Sequence, residues 1–346
     1  MLSQEAYPVE ETSCRIKLDA NENPYPLPQF LRHMISERLK DVSLNRYPDP
    51  GSPGLRRDFA RYYGVSEDMI LIGNGSDELI NILLTAVNPS LSGSVMFPIP
   101  TFAMYGIVAL NSGHNTIEVP LNGRFGLDTD AMLDAIADKK PAIIFLSYPN
   151  NPTGRCFDRG DIERILEASS SLVVLDEAYC NFSGKTFLPD IDRWDNLVIL
   201  RTLSKVGLAA LRLGILIGHP VLVHQLNKIR LPYNVNIFSQ VVGSLFVEYS
   251  GDFLALADRV VSGRKWLFDE LMAIEGITPY PSDANFILFS CFMGKDDVYA
   301  RLIDKGVLVK NFASTGILGN CMRVTVGTEE ENREFIESLK SVIRGE

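Results

Sequence analysis

Six short apolar runs, four of them closed by polar or glycine-bearing clusters of an unusual kind, constrain this chain to an alternating α/β fold. They are Met69-Ile70-Leu71-Ile72, Ser94-Val95-Met96-Phe97, Ile143-Ile144-Phe145-Leu146, Leu172-Val173-Val174-Leu175, Leu197-Val198-Ile199-Leu200 and Ile215-Leu216-Ile217. Continuous apolar runs this short read as strands buried on both faces, the pattern of a mostly parallel sheet covered by helices. Stretches with helical spacing at about 78–86, 129–138 and 158–168 lie between them, so the βα alternation extends from about 46 to 240. Around Leu231-Pro232-Tyr233-Asn234 the pattern breaks and a long helical region follows. Strand-like Asn285-Phe286-Ile287-Leu288-Phe289 and Met322-Arg323-Val324-Thr325-Val326 then predict a smaller α+β domain. Near the start, Asn23-Pro24-Tyr25-Pro26-Leu27-Pro28 excludes regular helix and central strand, whereas 29–40 has helical spacing. Three parts are expected: 1–45 as an arm and helix joining the small domain, 46–240 as the large domain, and 241–346 as the small C-terminal domain.

Open α/β sheets bind ligands at the carboxyl ends of their strands, so the clusters that close these runs form the candidate site. Ser204-Lys205 follow the run at 197–200, Asp176-Glu177-Ala178-Tyr179 the run at 172–175, and Asn150-Asn151-Pro152-Thr153-Gly154 the run at 143–146. An aspartate closing an apolar strand is costly to bury without a partner. A salt bridge or a helix cap would satisfy it, and so would a cationic cofactor. A lysine, a carboxylate, an amide and a phenol at three strand ends suit pyridoxal phosphate. The lysine would bind it covalently and the aspartate would pair with the pyridinium nitrogen. Gly73-Asn74-Gly75-Ser76-Asp77-Glu78 closes the first run and opens a helix. It reads either as a glycine turn with a Ser/Asp cap or as an amide cradle for the cofactor phosphate.

In order along the chain, Asn150-Asn151-Pro152-Thr153-Gly154, Asp176-Glu177-Ala178-Tyr179, Thr202-Leu203-Ser204-Lys205 and Arg212-Leu213-Gly214 resemble the signature segments of fold-type I pyridoxal-phosphate-dependent aminotransferases. Leu18-Asp19-Ala20-Asn21-Glu22-Asn23-Pro24-Tyr25, Arg46-Tyr47-Pro48-Asp49, Pro281-Ser282-Asp283-Ala284-Asn285-Phe286 and Met322-Arg323-Val324-Thr325-Val326-Gly327-Thr328 narrow the resemblance to the histidinol-phosphate aminotransferases, over about residues 16–340.

The resemblance implies transamination of L-histidinol phosphate with 2-oxoglutarate, giving imidazole acetol phosphate and L-glutamate. It implies that Lys205 carries the cofactor and moves the proton, while Asp176 keeps the pyridinium protonated. Asn151 and Tyr179 would meet the ring hydroxyl, and Phe102 would stack on the ring. Gly75, Ser76, Asp77, Ser204 and Arg212 would form the phosphate cup, and Tyr47 would reach the cofactor phosphate of a neighbouring subunit in a homodimer. Arg323 and Lys310 would hold substrate anions, with Asn151 beside them and Tyr25 bordering the imidazole.

Two departures from the family pattern stand out. Arg212 lies seven positions after Lys205, where eight is usual, so the loop is expected to tighten while Arg212 keeps its role. Lys310 stands where many relatives carry arginine, which keeps the charge but loses the fork geometry. Neighbouring activities left open are a broad-range or aromatic aminotransferase and a threonine-phosphate decarboxylase. A regulator that binds the cofactor without turnover is disfavoured by intact Lys205, Asp176, Tyr179 and Arg323 and by the absence of a DNA-binding extension.

Charge and composition bound the partners. A net charge of -10 over 346 residues, with no Lys/Arg cluster, argues against nucleic acid, although local charge can still hold a small anion. No apolar run reaches the ~18 residues of a membrane span. Residues 1–11 have neither the cationic start nor the apolar core of a signal peptide. The five cysteines, Cys14, Cys156, Cys180, Cys291 and Cys321, are scattered without metal spacing. They suit free thiols in a reducing compartment, so a cytoplasmic enzyme without a metal is expected.

Overall fold

The computed structural model describes residues 12–87, 93–292, 294–313 and 316–345; residues 1–11, read above for a signal peptide, lie outside them. The strands are β1 (Ile16–Leu18), β2 (Ile70–Asn74), β3 (Val95–Ile99), β4 (Thr116–Pro120), β5 (Ile143–Ser147), β6 (Leu172–Asp176), β7 (Leu197–Thr202), β8 (Leu213–Gly218), β9 (Ile277–Pro279), β10 (Phe286–Cys291), β11 (Val307–Asn311) and β12 (Cys321–Thr325). They form a seven-stranded sheet in the order β2-β8-β7-β6-β5-β3-β4 and a five-stranded sheet in the order β1-β11-β12-β10-β9. All six apolar runs are strands of the larger sheet.

Four pairings of that sheet are parallel, between β3 and β4, β3 and β5, β5 and β6, and β6 and β7. Only β8 runs against its neighbours β2 and β7. Every residue of β5 and of β8 is buried, as expected when helices cover both faces. Register then assembles the site. Ser147 lies beside Asp176, and Asp176 beside Leu200. Gly214 sits between Thr202 on one side and Gly73 on the other. The carboxyl ends of β2, β5, β6 and β7 therefore share one edge.

In the smaller sheet β1 joins β11 in parallel and the remaining pairings are antiparallel. The arm thus joins the small sheet through Ile16–Leu18. The helix Gln29–Leu39, expected with the arm to join the small domain, packs on the helix Ile237–Glu248 and buries Leu31 in the large core. Residue 240, the expected limit of the large domain, falls inside that same helix, which packs on Pro53–Tyr63. We propose Tyr249, between Ile237–Glu248 and Ser250–Met272, as the physical limit. Among the described residues, no helix is long and apolar enough to cross a membrane.

Candidate active site

One pocket at the shared strand edge is lined by Ser76, Asp77, Phe102, Ser147, Asn151, Asp176, Ala178, Tyr179, Thr202, Ser204, Lys205 and Arg212. Its floor comes from strand ends. Asp176 is the last residue of β6 and is buried. Its Oδ2 accepts the Tyr105 hydroxyl at 2.8 Å and its Oδ1 the Ala178 amide at 3.1 Å. Burial pushes its carboxyl up to about 6, against those two hydrogen bonds. A cation at the open side of this carboxylate would relieve that cost.

Lys205 sits in a short 3-10 turn after β7, half-buried, with its Nζ 5.7 Å from the centre of the Tyr179 ring. Burial, reinforced by the positive charge of Arg323, brings its ammonium down to about 8. The amine is therefore available as nucleophile and base much nearer neutrality than an exposed lysine.

The wall opposite is the start of the helix Gly75–Ala86, which has no side-chain cap. The sequence allowed a Ser/Asp cap there, but Asp77 instead pairs with Arg212 at 2.8 Å. The first-turn amides are thus not taken by a side-chain cap, beside a serine hydroxyl and a guanidinium. Gly75 has φ 81°, and a Cβ on it would lie 2.8 Å from Arg212 Nη2. A Cβ on Gly214 would lie 2.4 Å from the Gly75 carbonyl carbon, so both glycines keep this cradle open. The shortened segment from Lys205 to Arg212 is taken up by two 3-10 turns, Ser204–Val206 and Ala209–Leu211. Gly207 and Arg212 adopt left-handed backbone there, and the Arg212 side chain still lines the pocket.

Arg323 approaches from the small unit. It is buried on β12 and donates to the side-chain oxygen of Asn151 and to the carbonyl of Asp19. Lys310 stands directly opposite it across the β11–β12 pair. Two like charges facing each other across antiparallel strands repel unless an anion lies between them.

The chain's sequence from 15 to 339 matches the family model described as aminotransferase class I and II. The chain belongs to that family. A relative named histidinol-phosphate aminotransferase 2, from Nitrosococcus oceani, is 44% identical over 97% of this chain and 94% of its own length. One named histidinol-phosphate aminotransferase, from Aquifex aeolicus, is 42% identical over 98% and 96%. The solved histidinol-phosphate aminotransferase of Sinorhizobium meliloti, in complex with pyridoxal-5'-phosphate, superposes with a TM-score of 0.87 over 96% of this chain and 92% of that one, at 23% identity.

Nine of the family-implied residues line the pocket. Gly75 precedes Ser76 on its wall and Arg323 reaches it through Asn151, whereas three others stand apart. Tyr25 lies under the Arg259 guanidinium, 3.7 Å from its ring centre, on a second cleft shared with Trp266 and Arg333. Tyr47 is 80% exposed and stacks on Tyr233 at 4.6 Å, outside its own chain's pocket. Lys310 is placed by its register opposite Arg323 and is absent from the pocket wall.

Sequence reasoning missed Tyr105, Ser147 and Thr202, and it missed the buried pair of Glu177 with Arg201 at 2.7 Å. Arg201 also donates to Cys180 Sγ, while burial pushes that thiol up to about 12. Cys180 is therefore a protonated, unreactive group at neutral pH despite its place beside Tyr179.

Proposed function

We propose that this chain is a pyridoxal-phosphate-dependent transaminase that moves the amine of L-histidinol phosphate to 2-oxoglutarate, giving imidazole acetol phosphate and L-glutamate. The observation that carries the reading is the meeting of Lys205, Asp176, Tyr179, Asn151 and the uncapped helix start in one pocket. Two relatives above 40% identity along nearly the whole chain bear the corresponding name.

The donor set suits the cofactor. A buried carboxylate with a raised proton affinity faces the place of a pyridinium, and the cradle at Gly75 would be filled by a side chain there. Ser76, Ser204, Arg212 and the amides after Asn74 would hold the phosphate. Tyr179 and Asn151 would hold the ring hydroxyl, and Phe102 would cover the ring face. When bound, pyridoxal 5'-phosphate supplies the electron sink that lets the substrate's Cα proton leave. Lys205 would hold it covalently at rest. Freed by the substrate amine, its Nζ would take the Cα proton and return it on the cofactor side of the amine nitrogen. Asp176 would keep a proton on the ring nitrogen.

Arg323 and Lys310 would face the substrate phosphate, or the glutamate carboxylate in the other half-reaction. A dianion between them relieves their repulsion. We place the enzyme in the cytoplasm as a homodimer, with Tyr47 completing the partner's phosphate cup. The test is covalent trapping. Borohydride reduction of the yellow protein should label Lys205, and Lys205→Ala should lose the visible band, the label and turnover. A labelled, active Lys205→Ala protein would overturn the assignment.

A further inference from the structure

The Tyr179 hydroxyl is met by a residue of the N-terminal arm that none of the catalytic roles above uses. Asn21 is 2% exposed and has left-handed backbone with φ 56°. Its Nδ2 donates to the Tyr179 hydroxyl oxygen at 3.0 Å. Thr325, on β12, fixes which end of that amide faces the phenol. The Asn21 backbone N–H donates to Thr325 Oγ1 at 2.9 Å, so the hydroxyl spends its own proton on Asn21 Oδ1, at 3.2 Å. With Oδ1 occupied as an acceptor, only the NH2 end can point at Tyr179. The Asn285 side chain holds the Asn21 carbonyl from a third direction, at 3.0 Å.

An oxygen that already accepts from an amide keeps its own proton for another partner. We propose that Asn21 and Thr325 are positioning residues that aim the Tyr179 O–H at the ring hydroxyl of the bound cofactor. This rests on the functional reading above. It would couple the arm and the small unit to the cofactor's electronics, because Thr325 lies two residues from Arg323 on the same strand. The directions of charge agree: burial raises the Tyr179 phenol, and Arg323 and the Asn21 hydrogen bond both oppose that rise.

The experiment is a visible titration of the cofactor-loaded protein together with its equilibrium cofactor affinity, in four variants. Asn21→Gly keeps the left-handed backbone and removes the amide. Asn21→Asp replaces the donor by an acceptor that draws the Tyr179 proton away. Thr325→Val removes the hydroxyl at nearly constant shape, and Thr325→Ser retains it. Loss of one oriented hydrogen bond should raise the midpoint of the visible titration by about half a unit to one unit and weaken cofactor binding about 3- to 10-fold. Asn21→Gly and Thr325→Val should show this, Asn21→Asp should show it more strongly, and Thr325→Ser should match the parent.

In an Asn21→Gly background, Thr325→Val should move the midpoint no further, since it acts only through Asn21. Parent-like midpoints in Asn21→Gly and Asn21→Asp, or a Thr325→Ser midpoint displaced as far as that of Thr325→Val, would overturn the proposal while leaving the functional reading intact. A parent protein with no cofactor band would overturn that reading and this proposal with it.

Discussion

Asp176 carries a charge that its surroundings resist. Its folded-state carboxyl titrates at about 6, above the ordinary value near 4, because burial outweighs the hydrogen bonds from Tyr105 and Ala178. The folded protein therefore holds this proton more tightly than the unfolded chain. Its stabilising contribution is full at acid pH and is lost as pH rises from about 4 to 6. Asp176→Asn should leave the cofactor-free protein unchanged in stability near pH 4 and raise it by about 2 kcal/mol at pH 7 to 8, measured by denaturant unfolding. The same variant should lose turnover by orders of magnitude, since an amide cannot keep the ring nitrogen protonated.

Tyr105→Phe keeps the stack on Phe145 but removes the hydroxyl that lowers the Asp176 carboxyl. The acid limb of kcat should then move up by about half a unit to one unit with KM unchanged, read from a pH–rate profile. Asp176 was legible in the sequence because it ends an apolar run, where a carboxylate needs a reason. Tyr105 was not, since its partner is 71 residues away and only the strand order brings the two together.

At the level of elements, the proposed phosphate cradle depends on how closely β8 approaches the start of the helix Gly75–Ala86. Gly214→Ala would drive a methyl group into the Gly75 carbonyl, so the helix start must move off the strand. The expected cost is about 1–3 kcal/mol of stability in unfolding experiments, with weaker cofactor retention on dialysis. A variant with parent-like stability and retention would mean that the cradle tolerates displacement.

The central strands were readable because burial on both faces leaves unbroken runs of Val, Ile and Leu. The strands left out of the reading lack that signal. β4, Thr116-Ile117-Glu118-Val119-Pro120, lies at the sheet edge and mixes polar with apolar residues. β1 is three residues long and exists by pairing with β11, which nothing local to Ile16–Leu18 announces. The helix Gln29–Leu39 was found, but its destination was not, because periodicity gives a buried face without naming what buries it.

The whole molecule presents an exposed aromatic pair, Tyr47 on Tyr233, together with exposed Leu44 and Leu231. If Tyr47 serves the partner's site, protomers carrying Lys205→Ala and protomers carrying Tyr47→Ala, each inactive or weak alone, should regain activity on subunit exchange. Each mixed dimer then holds one intact site. A fully active monomer at assay concentration would contradict the shared site. The proposed reaction is transfer of an amine from a phosphorylated substrate at the pocket lined by Lys205 and adjoined by Arg323. The most direct measurement is a panel of histidinol phosphate, tyrosine, phenylalanine and threonine phosphate with 2-oxoglutarate, scoring kcat/KM for glutamate formation and CO2 release. Glutamate should form without CO2, with histidinol phosphate ahead of the unphosphorylated amines by about ten-fold to 150-fold, the worth of one charge-assisted contact. Equal turnover of tyrosine, or release of CO2 from threonine phosphate, would contradict it.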